Sequence, residues 1–418
     1  MQRIWRMAIH MFFLGAVVAT ARDARAACSD RPPTYVTSVN RLFGSGSRWE
    51  FALHRYQCEG LVISSAFYTP AGGSRRQVLA TGRIAQIHVP YLTGSLHYFD
   101  ITYDTDGMGD TNPDDNSAVV ALYPSECSGG SLFDGNRVCV RSEISGYAWR
   151  TMASYRADES VEAFMSTQMG AYNYINKWEF HGDGSIHVRL GLTGNLQEVQ
   201  NASEVLDFGR RLNPESESVP RVGLSHWHNV YYRLDFDIDG SNNDRVDRIS
   251  FSGTTTDPWG DSCEAGLCGK NKFSPIYTES AQTWSPTAAH SWFVYDKSSV
   301  NADGRRIGYE LSPSRSALHR GTTAAPWSGS EVWVTRWKNC EVFAVQNQSP
   351  SLSPGCAGAA TSVDKMTNDE SVDGQDLVLW YRNSFLHIPR DEDESPMPIE
   401  WMGFELKPRS FHHQNPAP

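Results

Sequence analysis

No long stretch of this 418-residue chain carries a 3.6-residue apolar period, and no internal repeat is visible. Helical bundles and solenoids are therefore excluded. Beyond the N-terminal segment there is no apolar run of spanning length, so no membrane span is expected. No Cys-x-x-Cys pair occurs, which removes the usual basis for a thiolate metal site. Positive charge is in deficit as well: the formal net charge of -11 argues against a nucleic-acid partner and favours cationic small molecules.

What the chain has instead is aromatic bulk and short β-type runs. Its 13 Trp, 17 Tyr and 18 Phe supply volume for a large core. Runs rich in Val, Ile, Tyr, Phe and Trp are broken by Gly, Asp, Asn and Pro, which reads as an all-β chain. Strands are expected at 86–91, 172–180, 185–192, 230–238, 331–337 and 377–380, with Gly182-Asp183-Gly184 as a hairpin turn. In the second of these, Tyr172, Tyr174, Trp178 and Phe180 share one face while Lys177 and Glu179 point the other way. The Ser/Pro/Gly-rich stretches 252–262 and 348–361 read as loops.

At the N-terminus, Arg3 and Arg6 precede an apolar run over 7–19 and an A-x-A site at Ala24-Arg25-Ala26. This pattern predicts a secretory signal peptide over 1–26 and a single exported domain, secreted or periplasmic, over 27–418. Eight cysteines remain after cleavage, and an oxidising compartment makes disulfides the default. Proximity suggests Cys28–Cys58, Cys263–Cys268 and Cys340–Cys356, but eight cysteines allow 105 connectivities and the sequence does not choose.

The chemistry-bearing segment is His226-Trp227-His228. Two histidines at i and i+2 on a strand face the same side and can share Cu, Zn, Ni or Fe with a third ligand. Upstream lies Met169-Gly170-Ala171-Tyr172-Asn173-Tyr174, continuing through Trp178-Glu179-Phe180 to Gly191-Leu192-Thr193-Gly194. Downstream lies Phe385-Leu386-His387-Ile388-Pro389-Arg390, with Glu392-Asp393 after it. Val89-Pro90-Tyr91 and the tail Phe404-Glu405-Leu406-Lys407-Pro408 complete the set.

In that order and at those separations, these blocks resemble the catalytic domain of the copper amine oxidases. The resemblance runs from about Trp49 to the end, and it implies a large antiparallel β-sandwich without the family's small N-terminal domains. It implies copper held by His226, His228 and His387. It also implies that Tyr172 is converted with copper and O₂ into topaquinone, 2,4,5-trihydroxyphenylalanine quinone. Tyr91 would hydrogen-bond a cofactor oxygen, and Cys127–Cys139 would be a disulfide. The implied reaction oxidises a primary amine with O₂ to an aldehyde, ammonia and hydrogen peroxide. The family's homodimers exchange long arms, for which 257–284 is the candidate segment here.

A carboxylate base is also implied, an Asp after an aromatic residue beyond Tyr91. Phe99-Asp100 and Tyr103-Asp104 both fit; the Gly-rich continuation after Asp104 favours that residue. The acidic run Asp235 to Gly240 is no EF-hand, because Val246 stands at position twelve counted from Asp235. On charge alternation it reads as a solvated strand face. The resemblance offers a calcium-type site instead, built from the carboxylates of Asp235, Asp237 and Asp376 with carbonyls of Phe236 and Leu377. Two positions depart from the family: Ala171 replaces the usual Asn before the cofactor tyrosine, and Glu394 replaces the usual Trp after Glu-Asp. His88, His97, His181 and His187 match no motif and read as surface or loop histidines. Two function classes stay open, an active oxidase and a copper-binding sandwich whose activity has decayed. A hydrolytic zinc enzyme is a distant third, since it leaves the blocks at Tyr91 and Tyr172 unexplained.

Overall fold

The computed structural model describes residues 33–416 except 95, 103–106, 113–116, 201–206, 264–267, 315–316, 322–324 and 346–361. The expected signal peptide, Cys28, Cys356, Asp104 and the whole 348–361 stretch lie outside the described residues. Among the described residues the regular structure is almost entirely antiparallel strand, and the one α-helical turn is Val363–Met366.

Two large twisted sheets carry the fold. The first runs, in spatial order, Tyr35–Leu42, Arg48–Tyr56, Gly60–Thr69, Arg76–Pro90, His226–Phe236, Leu377–His387, Val332–Arg336 and Ser280–Gln282. The short strand His97–Phe99 pairs with the end of Arg76–Pro90. The second sheet is centred on Tyr155–Met169, Tyr172–His181, Ile186–Gly194 and Met397–Arg409. It extends through Arg306–Ser314, Ser291–Val300 and Asp244–Thr254 to Cys268–Ile276 at one edge. A small third sheet joins Glu198–Gln200, Arg221–Leu224 and Gly209–Arg211.

One core cluster takes residues from both large sheets, including Trp49, Leu53, Ile84 and Ile87 from the first and Tyr174, Trp178, Phe180 and Phe404 from the second. Strand Tyr172–His181 alternates as its sequence demands, with Tyr172, Tyr174, Trp178 and Phe180 buried. Trp178 needs room on the opposite sheet, and Gly82 provides it: a Cβ there would lie 2.6 Å from Trp178 Cη2. The turn at 182–184 is pinned by three aromatic donors. Trp49 Nε1 donates to the His181 carbonyl, Tyr68 to that of Gly182 and Tyr309 to that of Gly184, each at 2.8 Å.

Central strands of the first sheet are buried on both faces. The second face is covered by a satellite cluster of Ala85, Tyr231, Trp333, Val363, Met366 and Trp380, with Trp327 packed against it. This cover corrects the expectation for the charged run: Arg233 and Asp235 are buried, not a solvated face. Other expectations also change. Residues 252–254 belong to the strand Asp244–Thr254 rather than a loop. His88 and His181 are buried strand residues and His187 is half-buried on a strand, whereas His97 is exposed as expected. The disulfides Cys127–Cys139 and Cys263–Cys268 are formed, and Cys58 and Cys340 are disulfide-bonded too.

The interlock of Trp178 with Gly82 is expected to dominate sheet docking. Trp178→Ala should lower the unfolding free energy by about 3–5 kcal/mol in a denaturant titration, as removal of a fully buried indole does.

Candidate metal centre and cofactor site

Strand pairing builds this site. His226 and His387 stand directly opposite each other in the antiparallel register of His226–Phe236 with Leu377–His387. His228 lies two residues along the same strand, on the same face. Tyr91 bridges to His226 from the other side. Three adjacent strands of one sheet thus converge at one end, and Tyr172 reaches them from the facing sheet. The metal-binding atoms of His226, His228 and His387 all lie within 4.8 Å of one another. The Tyr172 hydroxyl is 2.8 Å from His226 Nε2 and 2.8 Å from His387 Nδ1.

Each imidazole is oriented by its remote nitrogen. His226 Nδ1 donates to the Leu224 carbonyl at 2.8 Å, and His387 Nε2 lies 3.1 Å from Asp393 Oδ2. His228 Nδ1 is 3.3 Å from the Tyr174 hydroxyl. Such partners fix the tautomer that turns a lone pair towards a metal. Burial, then the neighbouring His387, pushes His226 down to about 3; burial, His226 and His387 hold His228 far below its usual value. Burial lowers His387 too, against the opposing pull of Asp393. Three neutral imidazoles result. His226 Nε2 and His228 Nε2 face each other at 3.0 Å, an arrangement a shared cation relieves. The donor set of three neutral imidazoles fits copper.

Asp100 sits on the Tyr172 side of the histidines. Tyr174 donates to Asp100 Oδ2 at 2.8 Å, and Tyr174 stacks at 6.0 Å from the Tyr172 ring. Burial raises Asp100 to about 7, while the Tyr174 hydrogen bond opposes the rise. Tyr91 stacks on His226 with ring centroids 4.6 Å apart. Burial holds the Tyr172 phenol well above its usual value, reinforced by Tyr91, Asp393 and Asp100. Ala171 is exposed in the turn before Tyr172 and brings no polar group to the ring, whereas Glu394 pairs outward with Arg221.

Sequence reasoning missed Asp393 and Tyr174 as partners of the histidines. Their signals were present: Asp393 follows His387 by one short turn, and Tyr174 shares a strand face with Tyr172.

A second cluster lies at the other end of the same strands. Carboxylate oxygens of Asp235, Asp237 and Asp376 approach within 4.8 Å of one another. Burial and neighbouring carboxylates raise Asp237 to about 6 and Asp376 to about 7. Asp244, not among the ligands expected from the motif, is fully buried nearby with neither carboxylate oxygen hydrogen-bonded. Burial and the acids Asp237, Asp296, Asp376 and Asp235 push it to about 10. Such mutual repulsion favours a bound hard cation with oxygen ligands.

Asp393→Asn is expected to weaken copper binding about 10–100-fold, because it loosens the His387 orientation without removing a ligand. Competition with a chromophoric chelator measures this, and unchanged affinity would contradict the orienting role.

The family model described as copper amine oxidase, enzyme domain, matches residues 45–418. Primary amine oxidase 2 of Arabidopsis thaliana is 28% identical over 407 residues, covering 88% of this chain and 57% of its own length. Histamine oxidase of Arthrobacter globiformis is 26% identical over 419 residues, covering 92% of this chain and 58% of its own. A copper-containing benzylamine oxidase from Hansenula polymorpha shares the fold with a TM-score of 0.72 at 17% identity, over 98% of this chain and 65% of that one. The chain thus spans between half and two thirds of the length of these relatives. Matched over nearly all of its described length, and with three histidines around a strand tyrosine, the chain belongs to the copper amine oxidase family.

Proposed function

We propose that this protein is an exported, copper- and topaquinone-dependent primary-amine oxidase. One observation carries the reading: the Tyr172 hydroxyl lies at the focus of three neutral imidazoles, 2.8 Å from two of them. Copper with O₂ would supply oxidation of the Tyr172 ring to a quinone, and that group would supply a two-electron acceptor for the amine. Amine, O₂ and water give aldehyde, ammonia and hydrogen peroxide. His226, His228 and His387 would hold the metal, which would supply the redox chemistry with O₂. Tyr91 contributes a hydroxyl to the cofactor environment.

We assign the base to Asp100. It is joined to Tyr174 beside the Tyr172 ring and is raised to about 7, suited to taking a proton from the amine's α-carbon near neutrality. Asp104, favoured on sequence grounds, lies outside the described residues. Export rests on the 1–26 segment. The cluster of Asp235, Asp237 and Asp376, with the Phe236 and Leu377 carbonyls, is proposed to take Ca²⁺. A homodimer is supported by the long edge hairpin of Asp244–Thr254 with Cys268–Ile276, clipped by Cys263–Cys268. This refines the expected arm: 257–284 supplies the tip and return strand, and the outgoing strand begins at Asp244. The exposed Phe251, Trp259 and Phe273 on this hairpin give a partner apolar surface to cover.

Metal-free protein should be colourless. Adding Cu²⁺ in air should produce a visible, phenylhydrazine-reactive quinone band, absent from Tyr172→Phe. Copper binding without that band would favour the decayed reading instead. Asp100→Asn should still form the quinone but lose about 10²–10⁴-fold in turnover.

The pH dependence follows from the sign of the shift. A base must be deprotonated, so kcat/KM should rise as pH passes about 7. Tyr174→Phe removes the hydrogen bond that lowers Asp100, so this limb should move to higher pH. A limb unmoved in the variant would assign it to another group.

A further inference from the structure

A third group of convergent side chains lies away from both sites described above. Glu179 and His181 stand at i and i+2 on strand Tyr172–His181, on the face opposite the core residues. Antiparallel pairing sets His187 directly across from Glu179. One ligand atom from each of Glu179, His181 and His187 falls within 4.8 Å of the others.

The individual contacts turn one carboxylate oxygen towards two imidazole nitrogens. Lys177 Nζ occupies Glu179 Oε1 at 2.5 Å, leaving Oε2 to face the histidines. That oxygen is 3.7 Å from His187 Nδ1 and 3.9 Å from His181 Nε2, too far for hydrogen bonds. Tetrahedral coordination at about 2.1 Å places ligand atoms about 3.4 Å apart, so small side-chain rotations suffice. Arg189 Nε, 3.9 Å from the same oxygen, would be displaced outward.

His181 supplies the independent observation. It is only 3% exposed, and its Nε2 is buried with no hydrogen-bond partner. Its Nδ1 is held by the Asp158 carboxylate at 2.9 Å. A carboxylate on the remote nitrogen, with the other nitrogen free and aimed at further ligands, is the arrangement that orients a metal-bound histidine. A recess of about 510 Å³, lined in part by Asp158, His181, His187 and Glu405, opens onto the cluster and admits an ion from solvent.

We propose that Glu179, His181 and His187 form a further metal site, selective for a zinc-class divalent ion and separate from the copper triad and the acidic cluster. Two imidazoles and one carboxylate, with a fourth position open to water, suit Zn²⁺; the mixed N/O set is too soft for Ca²⁺. Asp158 is a positioning residue for His181.

The test uses copper-loaded protein dialysed against Zn²⁺ and counted by elemental analysis, with affinity read from a competing chromophoric chelator. The expected result is a zinc equivalent lost in His187→Ala and in Glu179→Gln, with copper content unchanged. Asp158→Asn should weaken that equivalent about 10–100-fold, and His290→Ala should leave it intact. His187 is partly exposed, so its truncation leaves the core in place. X-ray absorption at the zinc edge should show two imidazoles in the wild type. Zinc content equal in wild type and His187→Ala overturns the proposal, as does the absence of any zinc beyond the copper. Either result would leave Asp158, His181 and Glu179 as an ion-pair cluster.

Discussion

The site depends on one register. In the pairing of His226–Phe236 with Leu377–His387, His226 meets His387 and each later pair follows in step. A slip of one residue would send His387 to the opposite face and turn its neighbours' apolar side chains the wrong way. That register is over-determined. Both strands are buried on two sides, by the main core and by the satellite cluster around Trp333 and Trp380. Apolar packing along the whole strand therefore fixes the position of a polar group at its end.

The same double burial explains the charges beneath the satellite cluster. Arg233 donates to the Glu341 carbonyl at 3.0 Å and to Asp235 at 3.3 Å, and Trp337 Nε1 donates to Asp235 at 2.9 Å. Ionised groups withdrawn from water need such partners. Arg382, fully buried on the adjacent strand, is matched by Glu331 at 3.0 Å. Where matching runs out, at Asp237, Asp376 and Asp244, the carboxyls shift upward instead.

Much of this is legible in the sequence because it is local. Alternation along Tyr172–His181, the shared face of His226 and His228, and the turn at 182–184 all follow from a two-residue period. What escapes depends on distant segments. The run from Arg233 to Asp237 alternates like an exposed face, and only a cover contributed by residues such as Trp327, Trp337 and Glu341 makes it interior. His181 reads as a loop histidine because the apolar alternation stops at Phe180; it is the last residue of that strand. Between Asp100 and Asp104, the glycine-rich continuation points to the latter. Asp100 is nonetheless beside Tyr174 because His97–Phe99 pairs with the end of Arg76–Pro90, setting Phe99 opposite His88. That short pairing is not visible in the spacing of the motif.

The division of the site between two sheets has a consequence for the order of assembly. His226, His228 and His387 belong to neighbouring strands of one sheet, whereas Tyr172 belongs to the other. A metal can therefore be gathered by a single sheet once its central strands have zipped, but the tyrosine comes within reach only after the two sheets have closed around Trp178 and Gly82. Any chemistry on the Tyr172 ring that requires the metal must wait for that closure. A modified ring would then be a permanent chemical record that the two halves of the sandwich had met correctly.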